Sequence, residues 1–210
     1  MTGLLMSGDM IAHACNGSRI GRNRRMHMAL TTHRWTRADL ERLPDDGNRY
    51  EVIDGDLLVS PAPRPAHERL VMEFGRALDE YCRRVKGVQA SFGRPAMVTA
   101  TSEVEPDIVV RASVAPPPDR WDDAPVPLLV VEVFSESTRR NDAIRKRAFY
   151  LANGVAEYWM VDGDARQVRV VDAHGERTES ATLRWAPTAG SVPLDLDLAT
   201  LFIEALGSPD

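Results

Sequence analysis

The chain has 210 residues, 43% of them hydrophobic and 27% charged, enough apolar material for one domain with a real core, which excludes a low-complexity chain. Its formal net charge of −5 argues against a surface coated with nucleic-acid-binding charge but leaves room for a local basic patch. The two cysteines, Cys15 and Cys82, form no CxxC or Cys/His cluster, so neither zinc nor a disulfide framework is expected and a reducing cytoplasm fits best. No apolar run approaches the length of a membrane span.

Residues 1–27 carry Arg19, Arg22, Arg24 and Arg25 among small and polar residues with no period, and read as a disordered basic tail. Residues 28–210 read as a single domain. Thr36 is placed to cap a short helix that Pro44 stops. Residues 50–60 predict a hairpin, because Asp54-Gly55 sits between two apolar runs. Pro61, Pro63 and Pro65 make a stiff connector. A long helix is predicted over 66–86: Leu70, Val71, Phe74, Leu78, Tyr81 and Cys82 fall on one stripe, His67 lies on the same face, and Gly87 stops it.

Segments 88–101 and 105–111 read as strands, and 113–127 as a proline-rich loop. The run 128–134, Leu-Leu-Val-Val-Glu-Val-Phe, reads as a central strand buried on both faces. A second helix is expected to start at Ser137 or Thr138 and to end at Asn153 before Gly154. A short strand over 158–161 follows. Segments 167–171 and 182–185 predict a hairpin around His174-Gly175, and a short helix over 198–206 closes the chain. Helix, strands, helix, strand is the order of an α/β core with a mixed sheet.

Three residues stand out chemically. Glu132 interrupts an apolar strand, where a carboxylate is costly to bury unless it is paired with a cation or bound to a metal. Asp107 stands at the head of the next apolar strand. Two carboxylates on neighbouring strands make a hard oxygen site of the kind that takes magnesium or manganese. On the second helix, Asp142, Lys146 and Asn153 share one narrow sector flanked by Phe149 and Tyr150. That strip reads equally as the wall of a cleft or as a solvated i,i+4 pair.

The segments Tyr50-Glu51-Val52-Ile53-Asp54-Gly55, Pro106-Asp107-Ile108-Val109-Val110, Val131-Glu132-Val133-Phe134 and Gly154 through Asp162, with Ser137-Thr138, Asp142 and Lys146, resemble the Uma2 family over roughly residues 35–205. The resemblance implies a restriction-endonuclease-like fold of the PD-(D/E)XK nuclease superfamily: a mixed central sheet flanked by helices. It implies metal-dependent hydrolysis of DNA phosphodiesters, with Asp107 and Glu132 holding Mg²⁺ or Mn²⁺. Phe134 stands where the superfamily pattern has lysine, and the resemblance moves that role to Lys146. Glu51 looks like an additional acid near the metal, and His67 is a candidate for the same cleft or for a satisfied core histidine. The three groups Asp107, Glu132 and Lys146 are expected to converge on a cleft at the sheet edge. A homodimer is expected, with Val168, Val170 and Trp185 supplying apolar surface. The alternatives are a nucleic-acid-binding or interaction protein with a decayed nuclease site, and a metal-dependent hydrolase of small phosphoesters.

Overall fold

The computed structural model describes residues 33–134 and 139–209. The basic tail expected over 1–27 and the helix start expected at Ser137 or Thr138 lie outside the described residues. From the N-terminal side, α1 (Arg37–Leu40) begins at Thr36, whose backbone N–H donates to the Asp39 carboxylate at 2.9 Å. Strands β1 (Arg49–Ile53) and β2 (Asp56–Ser60) form the expected hairpin. Its turn is Asp54-Gly55, both at positive φ (49° and 92°), the geometry whose twist matches two antiparallel strands. Helix α2 (Pro65–Val85) starts with proline in its first turn, where no N–H is missed, and buries the predicted stripe from Leu70 to Cys82.

The segment 88–101 is not one strand. Gly93 and Arg94 both take positive φ (83° and 67°) and break it into β3 (Val88–Phe92) and β4 (Met97–Val98). β5 (Glu103–Val104) follows, then β6 (Ile108–Ala112) and β7 (Leu129–Val133), the latter buried throughout as expected. The proline-rich loop before β7 is tied down by the buried Arg111, which donates to the carbonyls of Pro125 (2.9 Å) and Ala96 (2.6 Å). The second helix is described from Arg139. It consists of α3 (Arg139–Asn141), a π-helical turn (Asp142–Lys146) and α4 (Arg147–Ala152). Strand β8 (Glu157–Asp162) comes next.

The late hairpin is paired differently from expectation. β9 (Gln167–Asp172) pairs with β10 (Gly175–Glu179), and β11 (Thr182–Trp185) pairs with β12 (Leu194–Asp197). The turn closes after two residues, Ala173 and His174, so the strand immediately beyond it pairs first. That strand, Gly-Glu-Arg-Thr-Glu, has no apolar pattern because it is a sheet edge guarded by charge. Ion pairs hold it instead, among them Arg177 to Asp172 (2.6 Å) and Arg147 to Glu176 (2.7 Å). Helix α5 (Leu198–Leu206) ends the fold.

The main sheet has the order β10-β9-β8-β7-β6-β3, antiparallel except for the parallel pair β7–β8. A second sheet, β2-β1-β5-β4, carries the hairpin. Alternation along the main strands separates two cores. Ile108, Val110, Val131 and Trp159 face α2, α5 and the β11–β12 pair. Val109, Val130, Tyr158 and Met160 face Phe149, Tyr150 and the hairpin residues Ile53 and Leu58. Val168, Val170 and Trp185 are buried inside the first core, so the expectation that these three side chains supply apolar surface for a dimer is corrected.

Candidate active site

The register of β6 against β7 sets Ile108 opposite Val131 and Val109 opposite Val130. Continued one step beyond β6, it brings Asp107 beside Glu132, on the face shared by Val109 and Val130. Both carboxylates line a cleft of about 670 Å³, with Arg49, His67, Asp142 and Lys146 among the other walls. The expected place at the sheet edge is corrected. β6 and β7 are inner strands, and the cleft opens at the C-terminal end of β7, beyond Val133 and Phe134.

Two clusters meet there. In the first, the Lys146 ammonium lies 2.9 Å from Glu51 Oε2, 3.0 Å from Glu132 Oε1 and 3.7 Å from Asp142 Oδ1. Tyr150 Oη also donates to Glu132 Oε1, at 2.7 Å. Glu51 is anchored through Oε1, which accepts from the Glu105 backbone N–H at 2.8 Å. Lys146 is therefore neither solvated nor half of a surface pair. Its π-turn bears on its placing: the Asp142 carbonyl accepts from the Arg147 N–H five residues on, and also from Tyr158 Oη at 3.2 Å. Asn153 does not join the strip; its side-chain amide donates to the Phe149 carbonyl at the helix end.

In the second cluster, Asp107 Oδ1 accepts from Arg49 at 3.0 Å. Its Oδ2 accepts from the Val133 backbone N–H at 2.8 Å and lies 3.1 Å from His67 Nε2. His67 thus holds Asp107, as part of the cleft.

All four acids are buried, with Arg49, Lys146 and, when protonated, His67 as their cations. Burial opposes ionisation of Asp107, yet the hydrogen bond and charge of His67, then Arg49 and the Val133 N–H, hold its pKa down at about 2. Glu132 goes the other way. Burial raises its pKa well above the carboxylate range, and the neighbouring Asp107, Asp142 and Glu51 add to the rise despite Lys146. Lys146 is pushed upward because three carboxylates outweigh its own burial, so it is a permanent ammonium and not a base. Burial pulls His67 down, but Asp107 outweighs that and raises it overall.

The donor set suits a hard divalent cation in kind. Among the described residues no hydrogen bond falls on Glu132 Oε2, and no group of three or more His, Cys, Asp or Glu side chains is arranged to enclose an ion. Two carboxylates from the protein, with water and phosphate oxygens completing the shell, is a common arrangement for magnesium. Asp107 keeps one acceptor site on Oδ1 beside its hydrogen bond from Arg49, while Oδ2 is taken by His67 and the Val133 N–H. Arg49 and Tyr150 were not singled out as site residues from the sequence. Arg49 had a signal, standing two residues before Glu51 and so on the same face of one strand; Tyr150 stands one helical turn beyond Lys146.

The Uma2 family model, described as "Putative restriction endonuclease", matches residues 37–199. Among solved structures, the chain is similar to "a putative nuclease belonging to DUF820" from Anabaena variabilis. The TM-score is 0.68 at 18% identity, over 82% of this chain and 99% of that one. At that identity the likeness shows the fold alone, a mixed α/β fold. No curated protein sequence matches the chain. No described helix is long and apolar enough to cross a membrane.

Proposed function

Because the chain belongs to the Uma2 family, we propose that it is a metal-dependent endonuclease hydrolysing DNA phosphodiesters, with Asp107 and Glu132 as ligands of Mg²⁺ or Mn²⁺. The observation that carries this reading is the pairing of two buried carboxylates on one cleft, one of them forced upward in pKa by burial first and by the neighbouring acids in addition. A divalent cation offsets such repulsion. What it supplies when bound is polarisation of a phosphoryl oxygen and a lower pKa for the attacking water.

The chain's own groups have distinct tasks. Glu132 presents Oε2 to the cleft while Lys146 and Tyr150 fix Oε1, so the carboxylate is held in orientation. Lys146, kept charged by Glu51, Glu132 and Asp142, is a fixed positive charge toward the phosphate, where preorganised charge lowers the barrier without reorganisation. Its reach from a helix supports its standing in for the strand lysine that Phe134 replaces. Glu51 orients Lys146. His67 and Arg49 orient Asp107, and Arg49 is free to turn to a phosphate once a cation takes its place. A homodimer, with one site per strand of a duplex, belongs to this reading on symmetry grounds alone, and a cytoplasmic setting on the unpaired, buried Cys82.

Plasmid nicking with magnesium or manganese, run beside Glu132→Ala, tests the proposal. Metal-dependent nicking lost in the variant is expected; nicking that survives in Glu132→Ala removes this site from the mechanism. The second reading is a nucleic-acid-binding protein with a decayed site. It is favoured by Phe134 and by the three hydrogen-bond partners, Arg49, His67 and the Val133 N–H, that already hold Asp107. DNA binding without cleavage under either metal would establish it.

A further inference from the structure

A second, smaller pocket of about 320 Å³ adjoins the cleft and shares Arg49, Pro61, Pro63 and Asp107 with it. The two therefore form one groove in which Asp107 is the divide. Beyond that divide the walls change character. Val71, Met72 and Phe92 are apolar, and Met72 and Phe92 remain 60% and 46% exposed, unusual for large side chains next to a polar site.

Phe92 is held in a particular way. It ends β3 and lies against Gly75 of α2, where a Cβ would come within 3.0 Å of ring atoms Cγ and Cδ1 and 3.3 Å of Cδ2. Near-equal distances to three ring atoms mean that a ring face rests on the glycine. One face is thus buttressed by a helix backbone while the ring stays half-exposed at the pocket. Gly93 and Arg94 turn the chain just after it through two positive-φ residues, and Arg94 is fixed to Glu105 at 2.7 Å with most of its side chain in solvent. Asn48 at the rim offers both a donor and an acceptor.

A rigid aromatic face, apolar walls from Val71 and Met72, an amide at the edge, arginines on either side and Glu68 as an acceptor for base N–H groups match the chemistry of a nucleobase attached to a phosphate backbone. We infer that this pocket takes one unpaired nucleobase of the substrate strand, stacked on Phe92, next to the phosphate that lies over Asp107. The inference rests on the nuclease reading and names its substrate more closely: a strand with at least one unstacked base at the site of attack. Base stacking on aromatic side chains is sequence-tolerant, so the pocket selects for an accessible base rather than for a sequence.

The test uses the full chain and short DNA duplexes carrying one unpaired base, intact or with one abasic position moved stepwise along that strand, bound by fluorescence anisotropy in EDTA. Phe92→Leu keeps apolar volume against Gly75 but removes the aromatic face; Phe92→Trp restores a face. The wild type is expected to lose about five- to a hundredfold in affinity when the abasic site falls at one position. Phe92→Leu is expected to lose as much on the intact strand and nothing further on that abasic strand, and Phe92→Trp to recover. Melting curves matching the wild type show that Phe92→Leu is folded, and Phe92→Met replaces it if they do not. Equal sensitivity to the abasic position in wild type and Phe92→Leu overturns the inference. So does a wild-type dimer that Phe92→Leu dissociates in light scattering, since the ring is then covered by a second copy. Absence of metal-dependent nicking by the wild type would count against the nuclease reading alone, because the binding profile is read without metal.

Discussion

At the scale of single residues, Lys146 is the group on which the others depend. Removing one partner of a buried ionic cluster is worse than removing the cluster, because the remaining charges lose their compensation. Lys146→Met leaves Glu51, Glu132 and Asp142 buried together and is expected to cost about 3–5 kcal/mol. Glu132→Ala relieves repulsion while leaving Lys146 two carboxylates; Tyr150 loses its acceptor and Lys146 one of its three, so the cost is expected within about 1–3 kcal/mol. Urea denaturation of both variants in EDTA gives the comparison, and equal costs would refute the charge assignment. His67 gives a pH signature. Its folded pKa is raised, so its contribution to stability is complete below the unfolded value near 6.5 and is lost as pH rises through the folded value. Asp107, depressed to about 2, contributes above its unfolded value and loses that contribution only as pH falls toward 2. The wild type should therefore lose stability relative to His67→Gln as pH rises above about 6.5, measured by urea midpoints. A constant difference across that range would place His67 outside any proton linkage with Asp107.

At the scale of elements, the β1–β2 hairpin is the part that delivers both Arg49 and Glu51 to the cleft. Its register depends on the two positive-φ residues of its turn. Gly55 is also closely approached, since a Cβ there would stand 2.7 Å from Arg34 Nε, the movable end of a side chain. Gly55→Val adds a β-branched residue at φ 92° and is expected to cost about 1–3 kcal/mol, chiefly through backbone strain. Because the strain acts on the strand that holds Glu51, cleavage should fall further than stability predicts. Nicking rates measured well below the melting temperature check this; an unchanged rate would mean that the hairpin is a cover and not a support of the site. The π-turn has a comparable task on the opposite wall, presenting Asp142 and Lys146 inward while α4 stays seated through Phe149 and Tyr150.

For the molecule as a whole, charge limits how nucleic acid can be held. With a net charge of −5, attraction has to come from local arginines, and among the described residues around the cleft these are chiefly Arg49, Arg64 and Arg139. Arg139 is already engaged with Asp162 and Arg49 with Asp107. Binding to duplex DNA should therefore depend shallowly on salt. About three phosphate contacts correspond to a slope of log K against log salt near −3. Anisotropy titrations between 50 and 200 mM salt, about the usual range for such measurements, give the slope, and one steeper than about −6 would require a basic surface that these arginines do not provide. Magnesium should raise the melting temperature of the wild type, because a ligand that binds the folded state alone stabilises it by mass action, and Glu132→Ala should lose that rise.

The sequence by itself determined what is local. Asp54-Gly55 set the hairpin, the apolar stripe from Leu70 to Cys82 set α2, and the lone carboxylate in Leu-Val-Val-Glu-Val marked Glu132, since turn geometry, periodicity and burial cost are read over a few residues. Asp107 and Lys146 also stood out, with Glu51, His67 and Asp142 as candidate neighbours, but which group holds which did not. The tertiary structure alone decided that His67 and Arg49 hold Asp107 from 40 and 58 residues away, and that Lys146 serves three carboxylates at once. It also decided that a charged, patternless segment pairs with β9 while Thr182–Trp185 turns to β12. These are contacts between distant segments. Their strength comes from the burial and charge that the finished fold creates, and neither exists until the sheets have closed.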